Sequence, residues 1–206
     1  MLGIYNYTVI LTYIGMLVSF LGLSFAMDGN IQAALVCLMV SGVCDMFDGK
    51  IASTMERTKS EKRFGIQIDS LSDLICFGAL PAVIVYKLSE GTGFGLYTGA
   101  AYLLCALIRL AWFNVDEEER QEKCSGPRET YLGLPVTSAA LLLPLFVGVS
   151  KLCKWPVGKL APLLLIAMAA AFLTPFKLKK PALPGKIGMI LCGGAELILL
   201  LAWVDI

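Results

Sequence analysis

Hydrophobic residues fall in long runs separated by short polar stretches, at about residues 4–27, 31–54, 64–88, 94–113, 131–149, 160–176 and 187–204. Most of these runs approach or exceed the ~18–20 residues that an α-helix needs to cross a bilayer. The pattern predicts an all-α membrane protein, a polytopic bundle of about six to seven transmembrane helices, forming one domain over residues 1–206. Asp28-Gly29-Asn30 and Gly91-Thr92-Gly93 are turn signals. The polar segment Glu56 to Arg63 is expected to be a loop with room for a helical part, and Asn114 to Thr130 the longest polar connection. Pro81 is expected to kink the third run, which obliges a neighbouring helix to satisfy the freed carbonyl.

Composition sharpens this reading. The 206 residues are 57% hydrophobic and only 16% charged, with a mean hydropathy of +0.76, above the soluble average. A net charge of +1 offers nothing to a nucleic acid. Arg57, Lys59, Lys62, Arg63, Arg120, Lys123, Arg128, Lys177, Lys179, Lys180 and Lys186 fall in alternate connections, against Lys87, Lys151, Lys154 and Lys159 in the others. That bias predicts a cytoplasmic N-terminus. The first run has no basic leader or small-residue cleavage site and is expected to be a retained helix. The seven cysteines are scattered with no C-x-x-C pair, which suits free, packed thiols.

Candidate chemistry is concentrated between Asp45 and Asp73. Asp45 and Asp48 are spaced i,i+3 near the end of the second run, and Asp69 and Asp73 i,i+4 near the start of the third. On helices each pair shares a face. Asp45 lies about 13 Å inside its run, where a carboxylate needs water, a partner or a cation. The chain has no histidine, so a metal here must be held by oxygen, as Mg²⁺ or Mn²⁺ would accept. Two such ions held by shared carboxylates can clamp the attacking and leaving oxygens of a displacement at phosphorus. Gly49 and Gly65 leave room for a ligand beside the helix backbones, and Ala52 keeps the face of Asp48 small. A cation transporter would also use intramembrane acids, but along a path across the membrane rather than clustered at one face. Arg109, at the end of the fourth run, could bind a carboxylate bidentately or snorkel to lipid phosphates. Glu196, in the last run, is expected to make an interhelical hydrogen bond.

The run Asp45-x-x-Asp48-Gly49-x-x-Ala52, followed by Gly65-x-x-x-Asp69-x-x-x-Asp73, resembles the signature of the CDP-alcohol phosphotransferases. Ser53 stands where that family usually carries arginine, and the spacer between the two halves is a few residues longer; Arg57, one turn on, is expected to take the missing cation's place. Asp69-Ser70-Leu71-Ser72-Asp73-Leu74, Arg109-Leu110-Ala111-Trp112-Phe113-Asn114 and Gly133-Leu134-Pro135 are similar to the integral-membrane phosphatidylserine synthase branch, with Trp112 in place of a second arginine. The resemblance implies the family's membrane fold and transfer of a phosphatidyl group from CDP-diacylglycerol to L-serine, releasing CMP. It implies two Mg²⁺ or Mn²⁺ ions on Asp45, Asp48, Asp69 and Asp73, with Asp73 as general base. Asp45, Asp48, Gly49, Ala52, Ser53, Arg57 and Gly65 would form the CDP-lipid slot, and Arg109 would meet the serine carboxylate. The charge bias of the connections places the four aspartates at the cytoplasmic face of a multi-pass cell-membrane protein in contact with membrane lipids, and the apolar helix faces are compatible with, but do not require, pairing with a second copy. Glycerol 3-phosphate or inositol phosphate as acceptor are the alternatives within the family.

Overall fold

The computed structural model describes residues 3–123, 130–179, 188, 192–198 and 200. Helices α1 (Ile10–Met27) and α2 (Ile31–Ala52) form an antiparallel hairpin. A longer helix follows: α3 (Lys59–Asp73) passes through a π-helical segment (Leu74–Ala79) into α4 (Leu80–Leu88). Next come α5 (Gly93–Lys123), α6 (Ala139–Leu152) and α7 (Val157–Leu173). The one departure from an all-helical fold among the described residues is a short ribbon. In it β1 (Thr130–Leu132) pairs antiparallel with β2 (Lys177–Lys179), Thr130 opposite Lys179. Four stretches are long and apolar enough to cross a membrane: Ile10–Met27, Ile31–Ala52, Lys59–Leu88 and Gly93–Arg120. Two shorter apolar helices, Val136–Leu152 and Val157–Leu173, complete six of the expected runs. The seventh is helical at residues 188, 192–198 and 200. The rest of it lies outside the described residues, as do Cys124, Arg128, Lys180 and Lys186.

The boundaries moved where local polar chemistry competes with the apolar pattern. The first helix starts at Ile10 rather than Ile4, because Asn6 Oδ1 accepts the Thr8 amide at 3.2 Å and holds an Asx turn. The expected loop at 56–63 is half helix. Thr58 caps α3 through the Glu61 amide while the Glu61 carboxylate accepts the Thr58 amide at 2.8 Å, a reciprocal capping box. The expected polar connection from Asn114 continues α5 as helix to Lys123, since its charged residues favour helix and pair along one face, Arg120 with Glu117 at 2.6 Å. The fifth run begins not as helix but as β1. Gly133 then adopts φ +75°, and a Cβ there would stand 3.0 Å from the Phe172 and Thr174 carbonyl oxygens, so a side chain would be blocked.

Helices α1 and α2 meet through small residues. The buried face of α1 is Thr12, Gly15, Ser19, Gly22 and Ala26. A Cβ on Gly22 would stand 2.8 Å from that of Cys37, so the backbones approach closely. Ser19 and Ser41 share a 2.8 Å hydroxyl contact, and Ser41 also reaches the Gly15 carbonyl at 3.0 Å. This is how helices associate where lipid removes the hydrophobic drive between them. Leu35, Leu38, Leu80, Leu143, Leu165 and Phe172 fill the interior, while Leu17, Phe20, Leu21, Leu96 and Tyr97 face outward.

Pro81 disrupts the third run as expected, and the structure shows how. Proline has no amide to give the Phe77 carbonyl four residues back. The helix widens to π geometry over Leu74–Ala79, and the fully buried Tyr102 of α5 donates to Phe77 O at 2.7 Å. Replacing Tyr102 by Phe should therefore strand a buried carbonyl and destabilise the protein by about 1–2 kcal/mol. Unfolding in detergent, followed by loss of helical signal, measures this; an unchanged midpoint would show that the carbonyl is satisfied without Tyr102.

Candidate metal centre and active site

Residues 53–58 connect α2 to α3. Ser53 and Thr54 close α2 by donating to the Lys50 and Ile51 carbonyls, both at 2.7 Å, and the Thr58–Glu61 box opens α3. This connection brings Asp45 and Asp48 of α2 to Asp69 of α3. One carboxylate oxygen each from Asp45, Asp48 and Asp69 lie within 4.8 Å of one another. All three residues are partly buried. Asp73, one turn further along α3, lies in electrostatic reach of Asp45 and Asp69 but stands apart from that tight group. None of the four is ion-paired among the described residues. A cluster of hard anionic oxygens with no lysine or arginine to balance it fits a divalent cation.

The surrounding positions divide by location. Gly49 is exposed, and a Cβ added there would meet nothing within 4 Å, so the backbone beside Asp48 is open to a ligand. Ala52 is half-buried on the same helix. Ser53 is exposed, with its hydroxyl committed to the cap. The Arg57 guanidinium lies over Gly65, with Nη1 3.1 Å from where a Cβ would stand, one helical turn from Asp69. Position 53 is serine, and Arg57 acts electrostatically on Glu61 of α3.

Arg109 is 5% exposed, so it does not snorkel outward. Its guanidinium carbon lies 5.6 Å from the Trp112 ring and 5.5 Å from the Phe113 ring, within cation–π range. On α5, Asn114 accepts from Ser70 at 2.8 Å, and Ala106 lies near Gly78. Glu196 departs from expectation: its carboxylate accepts from Cys192 of its own helix at 3.3 Å. The interhelical bond there runs from Gln32 to the Leu200 carbonyl at 2.7 Å instead.

Three contacts were not anticipated from the spacing of the acids. Thr12 of α1 donates to Asp48 Oδ2 at 3.2 Å. Ahead of α1, Asn6 donates to Glu61 at 3.2 Å, and Tyr7 and Thr54 hydroxyls meet at 3.2 Å, which lays the N-terminal segment across the α2–α3 turn. The polar cluster Asn6-Tyr7-Thr8 in an apolar run was the available signal.

A model of the CDP-alcohol phosphatidyltransferases matches residues 5–175. The chain belongs to this family. All four aspartates fall within the matched span. Curated relatives agree. The chain is 30% identical over 128 residues to the archaetidylserine synthase of Methanothermobacter thermautotrophicus, covering 62% of this chain and 51% of that one. It is 32% identical over 151 residues to the CDP-diacylglycerol–serine O-phosphatidyltransferase of Saccharomyces cerevisiae, covering 68% and 54%. It is 34% identical over 134 residues to the protein of that name from Helicobacter pylori, covering 62% and 52%. The matched part thus spans about half the length of these relatives.

Removing one carboxylate from this CDP-alcohol phosphatidyltransferase site should weaken it as a cation site. Asp69→Asn is expected to raise the Mn²⁺ dissociation constant at least about tenfold, read from the electron spin resonance of free Mn²⁺. Equal Mn²⁺ binding by the variant would remove Asp69 from the ligand set.

Proposed function

We propose that this protein transfers the phosphatidyl group of CDP-diacylglycerol to the hydroxyl of L-serine, giving phosphatidylserine and CMP. The observation that carries this reading is the convergence of Asp45, Asp48 and Asp69 at one end of the bundle, without a cationic partner. The serine acceptor is supported by the names of the relatives.

Asp45, Asp48, Asp69 and Asp73 would hold two Mg²⁺ or Mn²⁺ ions. When bound, these ions neutralise the pyrophosphate and make its phosphorus more electrophilic. Gly49 and Ala52 line the nucleotide side, where the open backbone at Gly49 admits a ligand. Arg57, over Gly65, faces the phosphates in place of the arginine absent at Ser53. Asp73 stands apart from the tight carboxylate group, so it has an oxygen to spare for the serine Oγ proton. Serine Oγ then bonds to the lipid-bearing phosphorus, the bond from that phosphorus to the CMP oxygen breaks, and CMP leaves with the electron pair. Arg109, set among Trp112 and Phe113 in a buried position, receives the serine carboxylate, a geometry suited to a planar fork. The acyl chains remain in the bilayer beside the outward apolar faces. Lys50, Lys59, Lys62 and Arg63 are exposed at the acid end. By the positive-inside rule, that end faces the cytoplasm of a cell-membrane protein.

The direct check is CMP release from CDP-diacylglycerol in detergent, across serine, glycerol 3-phosphate, inositol phosphate and no acceptor, with and without EDTA. Serine-dependent, EDTA-sensitive release is expected; release with another acceptor alone would reassign the substrate, and none with any acceptor would end the reading. Residue roles separate in the same assay. Asp73→Asn should cut kcat by roughly a hundredfold or more. Arg57→Ala should raise the CDP-diacylglycerol KM about tenfold, and Arg109→Lys should raise the serine KM alone. Near-normal kcat in Asp73→Asn would exclude that base, and a swapped pattern of KM changes would exchange the two arginines.

A further inference from the structure

Helix α1 supplies no acid, yet one of its residues touches both helices that do. Thr12 is buried. Its hydroxyl donates to Asp48 Oδ2 of α2 at 3.2 Å. Its backbone carbonyl accepts from Ser72 Oγ of α3 at 3.3 Å, from the residue immediately before Asp73. The helix that carries Thr12 is held tightly. A Cβ on Gly15, three residues on, would stand 3.3 Å from that of Cys44, the neighbour of Asp45. Ser41 pins the Gly15 carbonyl at 3.0 Å. Thr12 is β-branched and so restricted at χ1. Its hydroxyl therefore has little freedom to leave Asp48.

We infer that Thr12 is a positioning residue for the cation site, fixing the carboxylate plane of Asp48 and the register of α2 against α3. The terminal torsion of an aspartate lies in a broad well. A donor held on one oxygen narrows it, and with it the direction in which the lone pairs face Asp45 and Asp69. Groups behind a ligand act on cation affinity in this way, typically by one to two orders of magnitude. The inference rests on the proposed metal site, and direct Mn²⁺ binding keeps the two separable.

Full-length protein in detergent is titrated with Mn²⁺, with free ion read by electron spin resonance and unfolding temperature recorded without metal. Thr12→Val, which keeps the shape and removes the donor, is expected to raise the Mn²⁺ dissociation constant about tenfold, and Thr12→Ser to restore it. Ser72→Ala, which cuts only the α1–α3 tie, should lower the unfolding temperature with at most a small change in Mn²⁺ affinity. Wild-type affinity in Thr12→Val, or a tenfold loss that serine does not rescue, would overturn the positioning role. If the valine variant does not fold, Thr12→Cys, with its weak thiol donor, takes its place: an intermediate affinity supports the inference and wild-type affinity overturns it. Absence of Mn²⁺ binding in the wild type would instead strike the metal reading itself.

Discussion

The structure depends on mutual repulsion that it does not itself cancel. Three carboxylate oxygens within 4.8 Å of one another repel, when ionised, by roughly 3–4 kcal/mol per pair at an effective dielectric near 20. Summed over the group, that rivals the ~5–15 kcal/mol net stability of a typical domain. No lysine or arginine side chain pairs with them among the described residues. A group of hard oxygens held this close fits a divalent cation supplied from outside, and the rest of the bundle holds the three residues in place.

That frame is made of backbone contacts as much as side chains. Small residues on α1 let it lie against α2, and the Thr58–Glu61 box starts α3 where Asp69 and Asp73 come level with Asp45 and Asp48. The π segment begins directly after Asp73, ahead of Pro81, and Tyr102 takes up the carbonyl that Pro81 leaves unpaired. The irregularity thus falls between the acid-bearing turn and the apolar α4, and the acids keep regular helical spacing within α3.

Membership of the CDP-alcohol phosphatidyltransferases is consistent with this division of labour. The match extends over residues 5–175, and so takes in the N-terminal segment, where Asn6 and Tyr7 cross the α2–α3 turn. Position 53 is serine, and the Arg57 guanidinium lies over Gly65.

The sequence by itself determined the helical membrane class, the four acids with their i,i+3 and i,i+4 spacing, and the break at Pro81. Each follows from local composition and helical period, which do not need a fold to be read. It misjudged the starts of α1 and α3 and the length of α5, because an Asx turn, a capping box and paired charges outweigh hydropathy at helix ends. The capping box was in plain view as Thr58-x-x-Glu61. Only the tertiary structure decided that Asp73 stands apart from the other three acids, that Arg109 is buried between aromatic rings rather than reaching for lipid, and that Thr12 belongs to the site. Those facts depend on how far apart helices distant in sequence come to rest, and that distance is set by the small residues between them, not by the spacing of the acids along the chain.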